Sequence, residues 1–481
     1  MVVNGIRIVH HSDMPPKLPR PDLSTLSEAQ KDELIMVLFD HLDAMWQRVE
    51  ALEARVHKNS ANSSKPPSSD GLTKKTSSLR ESSGKSAGGQ RGRKGSTLRQ
   101  CEPTQVITHP LPDQCQLCHA ILPLEQVRLW ARRQVIDVPS VAFDVIEHQA
   151  LAVTCRCGQL HTSTFPASVT EAVQYGPNVR ALGVHLTQGQ MLPFARAAEL
   201  LHDVYGLTIS PGTLVAWVAE ARAALQGTAE LIAAQLHAAP VLNSDESGLR
   251  VAGKLHWLHI AATDTLTWYG VHERRGIVAM EAHGILPKRL GVLVHDCWAP
   301  YWRIEGSVHA LCNAHLLREL LYVTQSTGQS WAQAMSNFLL NANALREAAR
   351  AQQTVFDIAD VRAFRTVYDG IVREAELLNP ETSTRVKQST AVNLLRRFRL
   401  HADAILRFVG NFSVPFTNNV AERAVRMPKV KQKISGCFRT LDGAENFCVI
   451  RSCLDTLRKQ GYGMLKVLQR AFTGDPIQPS T

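Results

Sequence analysis

The sequence lacks a hydrophobic run long enough to cross a membrane. No stretch of about 18 consecutive apolar residues occurs, and a transmembrane helix needs about that length. The N-terminal segment also lacks the apolar core of a secretory signal, because Arg7, Lys17 and Arg20 lie there among polar residues and prolines. We therefore expect a cytoplasmic protein with no membrane partner.

Cysteine is also scarce, with ten residues in a chain of 481. In a reducing compartment, cysteines are free thiols or metal ligands far more often than they form disulfides. The chain is too long for a single hydrophobic core. We therefore expect a multidomain protein with two or three folded units joined by linkers.

Acidic residues are nearly absent between residues 57 and 100, where two acids accompany ten lysines and arginines. This Ser-, Gly- and Lys-rich composition cannot bury enough apolar surface to fold alone, which predicts a disordered basic linker. Its charge fits a polyanion, with nucleic acid the first candidate. We predict that Arg91, Arg93 and Lys94 bind DNA in a narrow minor groove. A solvated tether that binds nothing is the alternative.

Ahead of this linker, the sequence predicts a disordered segment (1–26) and a helix (27–56). Ser27 and Gln30 have the spacing of a capping box, which begins a helix. Apolar residues then recur at alternating spacings of three and four, the pattern of a coiled coil. This pattern predicts a homo-oligomer, since a helix packed on its own chain shows a wider apolar stripe. The seam consists of Ile35, Leu38, Leu42, Met45, Val49, Leu52 and Val56.

Two cysteine pairs predict a small zinc-ribbon-like domain over residues 101–165. The pairs are Cys115 with Cys118 and Cys155 with Cys157. Four thiolates complete the tetrahedral coordination of a structural Zn²⁺, and the valine-rich segment 128–154 is predicted to be rich in strands. Because the second pair has a single spacer residue, Cys101, His119 or His161 could replace one thiolate. Buried thiols without metal are the alternative.

The next segment, residues 166–235, is predicted to be helical. Ser210 followed by Pro211 is a strong helix start, because serine caps the helix and proline fits its first turn. With a preceding helix around 195–205 and a turn at Gly206, the pattern resembles a helix-turn-helix. A helical hairpin that binds no DNA has the same pattern.

Residues 236–440 alternate between short apolar runs and helical stretches, and two of the runs end in acids, Asp245 and Asp296. The order strand, strand, strand, helix, strand, helix, strand is that of an α/β ribonuclease-H-like core. In that core the first and fourth strands are neighbours, so both carboxylates would face one another at one edge of the sheet. The predicted strands are 241–245, 255–261, 266–271, 291–296 and 307–311, with a helix over 277–285.

Paired carboxylates suit metal-dependent cleavage of phosphodiesters. Two Mg²⁺ ions activate the attacking oxygen and stabilise the leaving oxygen, and these hard cations prefer carboxylate ligands. Glu422 is the candidate third acid near a helix start, although Asn419 and Glu422 also have capping-box spacing. A mostly helical stretch at about 316–416 is predicted as an insertion before the third acid, and 441–481 as a C-terminal helical region.

Basic residues follow Glu422 on one predicted helical face. We predict that this row contacts the DNA backbone. The alignment requires the helix to continue through Pro428 rather than end there. The row consists of Arg426, Lys429 and Lys433.

A Cys-x-x-His pair, Cys312 and His315, lies just before the insertion. Two such ligands supply half of a zinc site. A buried thiol beside a histidine at a helix start is the alternative.

These motifs together resemble the transposases of insertion sequence 66 and its relatives, in the DDE superfamily. The likeness covers nearly the whole chain, and its Asn-Asn-x-Ala-Glu block (418–422) and Lys-Ile-Ser-Gly block (433–436) are together very specific. The other motifs are Asn59-Ser-Ala-Asn-Ser-Ser-Lys-Pro-Pro-Ser-Ser-Asp-Gly71, the cysteine pairs, Gln174-Tyr-Gly-Pro177, Ser244-Asp-Glu-Ser-Gly248 and Val294-His-Asp-Cys-Trp-Ala-Pro-Tyr301.

The resemblance implies a DNA transposase that binds the terminal inverted repeats of its element, cuts the ends and joins them to target DNA. Asp245, Asp296 and Glu422 would be its catalytic acids and hold two Mg²⁺ ions, for which Mn²⁺ substitutes. Lys429 matches a DNA-contacting lysine. Implied partners are DNA, a second copy of the chain and small accessory proteins of the same element. The alternatives are a non-catalytic DNA-binding regulator derived from a transposase and a structure-specific nuclease on the same fold.

Overall fold

The computed structural model describes residues 2–3, 6–7, 26–57, 62, 100–122, 128–135, 143–381 and 388–480. Nearly all of the predicted basic linker, with Arg91, Arg93 and Lys94, lies outside these described residues. Within the described ranges, no helix combines the length and the apolar character that a membrane crossing requires.

A short pair of strands lies at the N-terminus. Strand β1 (Val2–Val3) pairs antiparallel with β2 (Ile6–Arg7). The sequence between them, Asn4-Gly5, favours a two-residue hairpin connection. These four paired residues differ from the disorder predicted over 1–26, while nearly all other residues of that segment lie outside the described part of the chain.

Helix α1 (Glu28–His57) follows, and its start confirms the predicted capping box. Ser27 N donates to Gln30 Oε1 at 2.9 Å, and Gln30 N donates to Ser27 Oγ at 3.4 Å. The apolar surface is wider than the predicted seam, because Phe39 and Trp46 are also exposed, at 60% and 71%. An exposed apolar surface of this kind favours association, and pairing with a second copy of the chain stays a prediction.

Two short turns hold the cysteine pairs. Strand β3 (Ala152–Thr154) pairs antiparallel with β4 (Leu160–Thr162), and an isolated bridge joins Gln114 to Ile121. Among the described residues of the segment 128–154, which is predicted to be rich in strands, β3 is the only strand. Alternating valines form strands only where a neighbouring strand or a core covers them.

A five-stranded mixed sheet lies at the centre of the chain. Its strands are β5 (Val241–Val251), β6 (Lys254–Ala262), β7 (Thr267–His272), β8 (Gly291–His295) and β9 (Ser307–Leu311). The order across the sheet is β7-β6-β5-β8-β9, antiparallel on the β7 side and parallel on the β9 side. The first and fourth strands are neighbours, as predicted. Helix α5 (Ile277–His283) joins β7 to β8, where the sequence predicts a helix.

Helices that precede the sheet share a hydrophobic core with it. They are α2 (Pro177–Val184), a π-helical turn (His185–Gly189), α3 (Phe194–Tyr205) and α4 (Pro211–Ala238). Gly206 ends α3 at φ 69°, a left-handed conformation that glycine adopts at little cost. Ser210 Oγ accepts from Thr213 N at 3.0 Å and caps α4. The predicted helical hairpin is therefore present, and its use as a DNA-binding motif stays a prediction.

The C-terminal helices α13 (Leu441–Lys459) and α14 (Met464–Phe472) share a hydrophobic core with α2, α4 and the sheet. Helix α13 covers the edge strand β7. There Ser452 Oγ accepts from Tyr269 N and Thr456 Oγ1 accepts from Thr267 N, both at 2.9 Å. These hydroxyls satisfy edge amides that would otherwise be buried without acceptors.

Between β9 and the third candidate acid, every regular element of the described chain is a helix, as the predicted insertion requires. Its helices form a core that includes the buried Trp331, Tyr368 and Phe398 together with Leu311 of β9. Helix α12 (Asn419–Ser435) follows and returns to the sheet. The insertion helices are α6 (Asn313–Thr327), α7 (Ser330–Ala351), α8 (Ile358–Leu378), α9 (Thr390–Leu400), α10 (Ala402–Ile405) and α11 (Arg407–Gly410).

Candidate active site

The two candidate aspartates lie in the same register, Asp245 on β5 and Asp296 directly after the neighbouring β8. Strands β5 and β8 pair Asn243 with Val294, and two residues further along each chain segment stand Asp245 and Asp296. The prediction that Asp245 ends its strand is wrong, because β5 continues to Val251 as the antiparallel partner of β6. Only the parallel pairing with β8 ends before the aspartate.

The candidate aspartates are half-buried, and the charges of neighbouring acids repel theirs. Burial raises the pKa of Asp245 well above its usual value, and the charges of Glu246, Asp296 and Glu422 raise it further. Burial also raises the pKa of Asp296 to about 7, with added repulsion from Glu246. A divalent cation relieves such repulsion, so clustered, half-buried carboxylates are a favourable place for one.

Helix α12 brings Glu422 to the aspartates. Asn418, at the start of this helix, donates from Nδ2 to Ser244 O at 2.8 Å and accepts from Asn243 Nδ2 at 2.9 Å. These bonds hold the start of α12 beside β5. Within the described chain no side chain caps α12, so the capping-box interpretation of Glu422 is wrong. Its Oε1 atom instead lies 3.6 Å from Cys312 Sγ.

Helix α12 continues through Pro428, as the predicted row of cations requires. Proline lacks the N–H that would bond to the carbonyl four residues earlier, which here belongs to Ala424. The Tyr269 hydroxyl donates to this carbonyl at 3.0 Å and shares its proton with Asp455 Oδ2 at 2.7 Å. The carbonyl therefore keeps a donor, and the helix extends to Ser435.

The three cations predicted on α12 differ in their exposure to solvent. Arg426 and Lys433 are exposed. Lys429 is half-buried, and its Nζ donates to Gly248 O of β5 at 2.9 Å. Burial lowers the pKa of Lys429, although the charge of Asp245 opposes this shift. Lys429 therefore joins α12 to β5 near the acids, whereas the other two cations face solvent.

Sequence reasoning missed Glu246, Arg275 and Tyr301 around the aspartates. Glu246 is buried and accepts from Arg275 Nε at 2.9 Å and from the Tyr301 hydroxyl at 2.5 Å. The Arg275 guanidinium also lies 3.8 Å from the centre of the Trp298 ring. Glu246 directly follows Asp245 in the sequence, and this adjacency of two acids was a signal that could have identified it. No local pattern marks Arg275, because its partners come from other strands and loops.

Each cysteine pair of the predicted zinc site lies in a turn whose backbone faces the sulfur. The backbone amide of Cys118 lowers the pKa of the Cys115 thiol, and that of Cys157 lowers the pKa of the Cys155 thiol. Among the described residues, these four cysteines do not form one group with ligand atoms within 4.8 Å of one another. The zinc ribbon therefore stays a prediction.

A mixed sheet with one half-buried aspartate on β5, a second directly after the neighbouring β8 and a glutamate from a later helix nearby defines an α/β protein with a carboxylate-lined site. The chain belongs to the Transposase IS66 family, whose family model matches residues 172–446, more than half of its length. Residues 18–99 match a family of unknown function (DUF6444).

The chain also resembles the uncharacterized protein y4jD of Sinorhizobium fredii (strain NBRC 101917 / NGR234). The two are 24% identical over 330 residues, which is 62% of this chain and 64% of the relative. The similarity thus spans slightly less than two thirds of the relative's length.

Proposed function

We propose that the protein is a DNA transposase with a ribonuclease-H-like core, which binds the terminal inverted repeats of its element, cleaves the ends and transfers them to target DNA. One observation carries this proposal. Asp245 lies on β5, Asp296 directly follows β8 and Glu422 lies on a distant helix, yet the three are close enough for their charges to interact. Burial and the charge of Glu246 raise the pKa of Asp245 most, and the charges of Asp296 and Glu422 raise it further. Membership of a transposase family supports it, since all three acids lie within the matched residues.

The donor set fits Mg²⁺. The three acids offer only carboxylate oxygens, which hard divalent cations prefer, and Mn²⁺ shares this preference. Bound ions would activate the attacking oxygen and stabilise the leaving oxygen of a phosphodiester. The protein itself orients both aspartates, because Glu246 N donates to Asp245 Oδ1 at 2.8 Å and Trp298 N donates to Asp296 Oδ1 at 3.1 Å.

The DNA backbone would follow the exposed face of α12. Arg426 and Lys433 present their charges there, and the Arg275 side chain is 34% exposed beside the acids. Cations of this kind bind phosphate oxygens and position the duplex. Pairing of α1 between two copies of the chain would let them handle two DNA ends together, and the linker 57–100 would add further phosphate contacts.

A structural Zn²⁺ is part of the same proposal. Its ligands would be Cys115, Cys118, Cys155 and Cys157. The lowered pKa of the first thiol in each pair supports this assignment, because the thiolate is the form that binds metal. The domain would contribute to recognition of the DNA ends.

The proposal is tested on linear DNA that carries the inverted repeats flanking the coding region. Purified full-length protein should cut at the repeat ends in Mg²⁺ but not in EDTA, and should join the cut ends to a second DNA. Specific binding without cleavage in Mg²⁺ or Mn²⁺ would instead identify a non-catalytic DNA-binding regulator. A preference for branched DNA over the repeats would identify a structure-specific nuclease.

Deletion of residues 57–100 should weaken DNA binding and flatten its salt dependence. Each neutralised phosphate contributes about −0.9 to the slope of log K against log salt, so contact by half of the linker's ten basic residues would change the slope by roughly 4 to 5 units. Fluorescence anisotropy over a salt series measures this slope. A variant of equal length with the basic residues replaced by glutamine separates charge from tethering, and an unchanged slope in both would show that the linker is only a tether.

A further inference from the structure

A sulfur, a nitrogen and an oxygen atom meet beside the candidate acids. Cys312 Sγ lies 3.6 Å from Glu422 Oε1, and His315 Nδ1 lies 3.8 Å from the same oxygen. All three potential ligand atoms lie within 4.8 Å of one another. In the part of the chain that the structure describes, this is the one group of three or more His, Cys, Asp or Glu side chains with that proximity.

The separations fit a tetrahedral zinc ion. Bonds of about 2.3 Å to sulfur and about 2.0 Å to oxygen or nitrogen place sulfur and oxygen about 3.5 Å apart, and nitrogen and oxygen about 3.3 Å apart. The observed distances of 3.6 and 3.8 Å are close to these values. Small side-chain rotations would therefore suffice to close the three ligands around one ion.

The surroundings of Cys312 and His315 suit metal ligands. Cys312 Sγ accepts from Asn418 N at 3.1 Å, and such N–H donors stabilise a metal-bound thiolate. His315 Nδ1 is buried and has no hydrogen-bond partner among the described residues.

Nearby positive charge is compatible with a bound cation. Arg318 and Arg397 lie close enough to His315 to act on its charge, and both would repel an isolated divalent ion. Arg397, however, is ion-paired with Glu319, whose Oε1 accepts from Nη1 at 3.0 Å. A thiolate and a carboxylate together carry two negative charges, so Zn²⁺ with this ligand set adds no net positive charge.

We propose that Cys312, His315 and Glu422 form a binding site for a thiophilic transition-metal ion, with Zn²⁺ favoured by the mixed sulfur, nitrogen and oxygen donors. Three protein ligands leave the fourth tetrahedral position open. Glu422 presents Oε1 to this site, so the ion would hold in place the residue proposed as the third catalytic acid. The proposal concerns metal binding and stands independently of DNA cleavage.

Co²⁺ is the probe, because it occupies zinc sites and its thiolate complexes absorb light. Full-length protein is stripped of metal and then loaded with Co²⁺. The wild type should bind about one Co²⁺ equivalent more than the Cys312→Ser variant. Thiolate-to-Co²⁺ absorption should fall in the same variant. His315→Gln should weaken this site by at least about 100-fold, since loss of groups that only support metal ligands costs about 10–100-fold.

Cys448→Ser is the matched control. Cys448 is another buried cysteine, in α13, and its replacement should leave the Co²⁺ equivalents unchanged. The cysteines of the predicted ribbon stay in every variant, so differences between variants report only the Cys312 site.

Equal Co²⁺ equivalents, affinities and spectra in the wild type, Cys312→Ser and His315→Gln would overturn the proposal. If circular dichroism shows that Cys312→Ser is unfolded, His315→Gln decides alone, because its side chain is 19% exposed and tolerates a polar replacement more readily. The readout contains no DNA. Failure of cleavage therefore leaves this result intact, and absence of Co²⁺ binding leaves the aspartate site intact.

Discussion

Replacement of any one of the three acids should abolish Mg²⁺-dependent cleavage of the DNA ends while end binding stays nearly intact. Asp245→Asn, Asp296→Asn and Glu422→Gln keep the size of the side chain and remove one anionic ligand. Groups that only support metal ligands contribute about 10–100-fold, so loss of a ligand should lower the cleavage rate by more than about 100-fold. Binding should persist because it depends on cations elsewhere.

A control variant and a stability measurement separate loss of chemistry from loss of fold. Glu305→Gln removes an exposed acid in the loop before β9 and should keep full cleavage. Asp245→Asn should also preserve or raise stability without metal. The pKa of Asp245 is raised in the folded protein. Its ionisation therefore destabilises the fold once the pH exceeds the pKa that Asp245 has in the unfolded chain. Asparagine does not ionise, so it removes this cost. Full cleavage by any acid variant would exclude that residue from the catalytic set.

Arg451→Met should lower the free energy of unfolding by about 3–5 kcal/mol, the usual cost of removing one partner from a buried ion pair. Arg451 and Asp455 are both buried on α13, with Nη2 2.6 Å from Oδ1. Arg451 Nη1 also donates to Gly189 O of the π-helical turn at 3.3 Å. The variant therefore leaves both a buried carboxylate and a carbonyl without this donor.

Arg458→Met is the matched control on the same helix. Arg458 lies 3.4 Å from the same carboxylate of Asp455, but its side chain is 59% exposed. Solvent screens such a pair, so this change should cost at most about 1 kcal/mol. Urea denaturation measures both variants. Equal destabilisation of the two would show that the buried pair contributes no more than the exposed one.

Local patterns in the sequence predicted most of the secondary structure. Alternating apolar residues marked β6 and β7, and apolar runs marked β8 and β9, because side chains of a strand point alternately to its two faces. Capping signals at Ser27 and Ser210 marked helix starts, because a cap needs only residues within one turn. These features depend on neighbours in the chain, so one sequence suffices to find them.

The same patterns failed where a distant partner decides the structure. Strand β5 extends past Asp245 because β6 continues to pair with it. Segment 128–154 has few strands among its described residues, because alternation alone provides no partner. Pro428 lies within a continuous helix because Tyr269, on β7, supplies a donor to the carbonyl that proline leaves without one.

The candidate site shows the same division. The sequence by itself identified the two aspartates, since each follows an apolar run and both fall on strands that the predicted order makes neighbours. It could not decide between a capping and a catalytic role for Glu422, nor complete the half-site of Cys312 and His315. The tertiary structure excluded the cap and placed Glu422 beside Cys312, 110 residues away, while the catalytic role of Glu422 stays a prediction. That contact depends on how α12 packs against β5 and the start of α6, and packing between distant segments leaves no periodic signal in the chain.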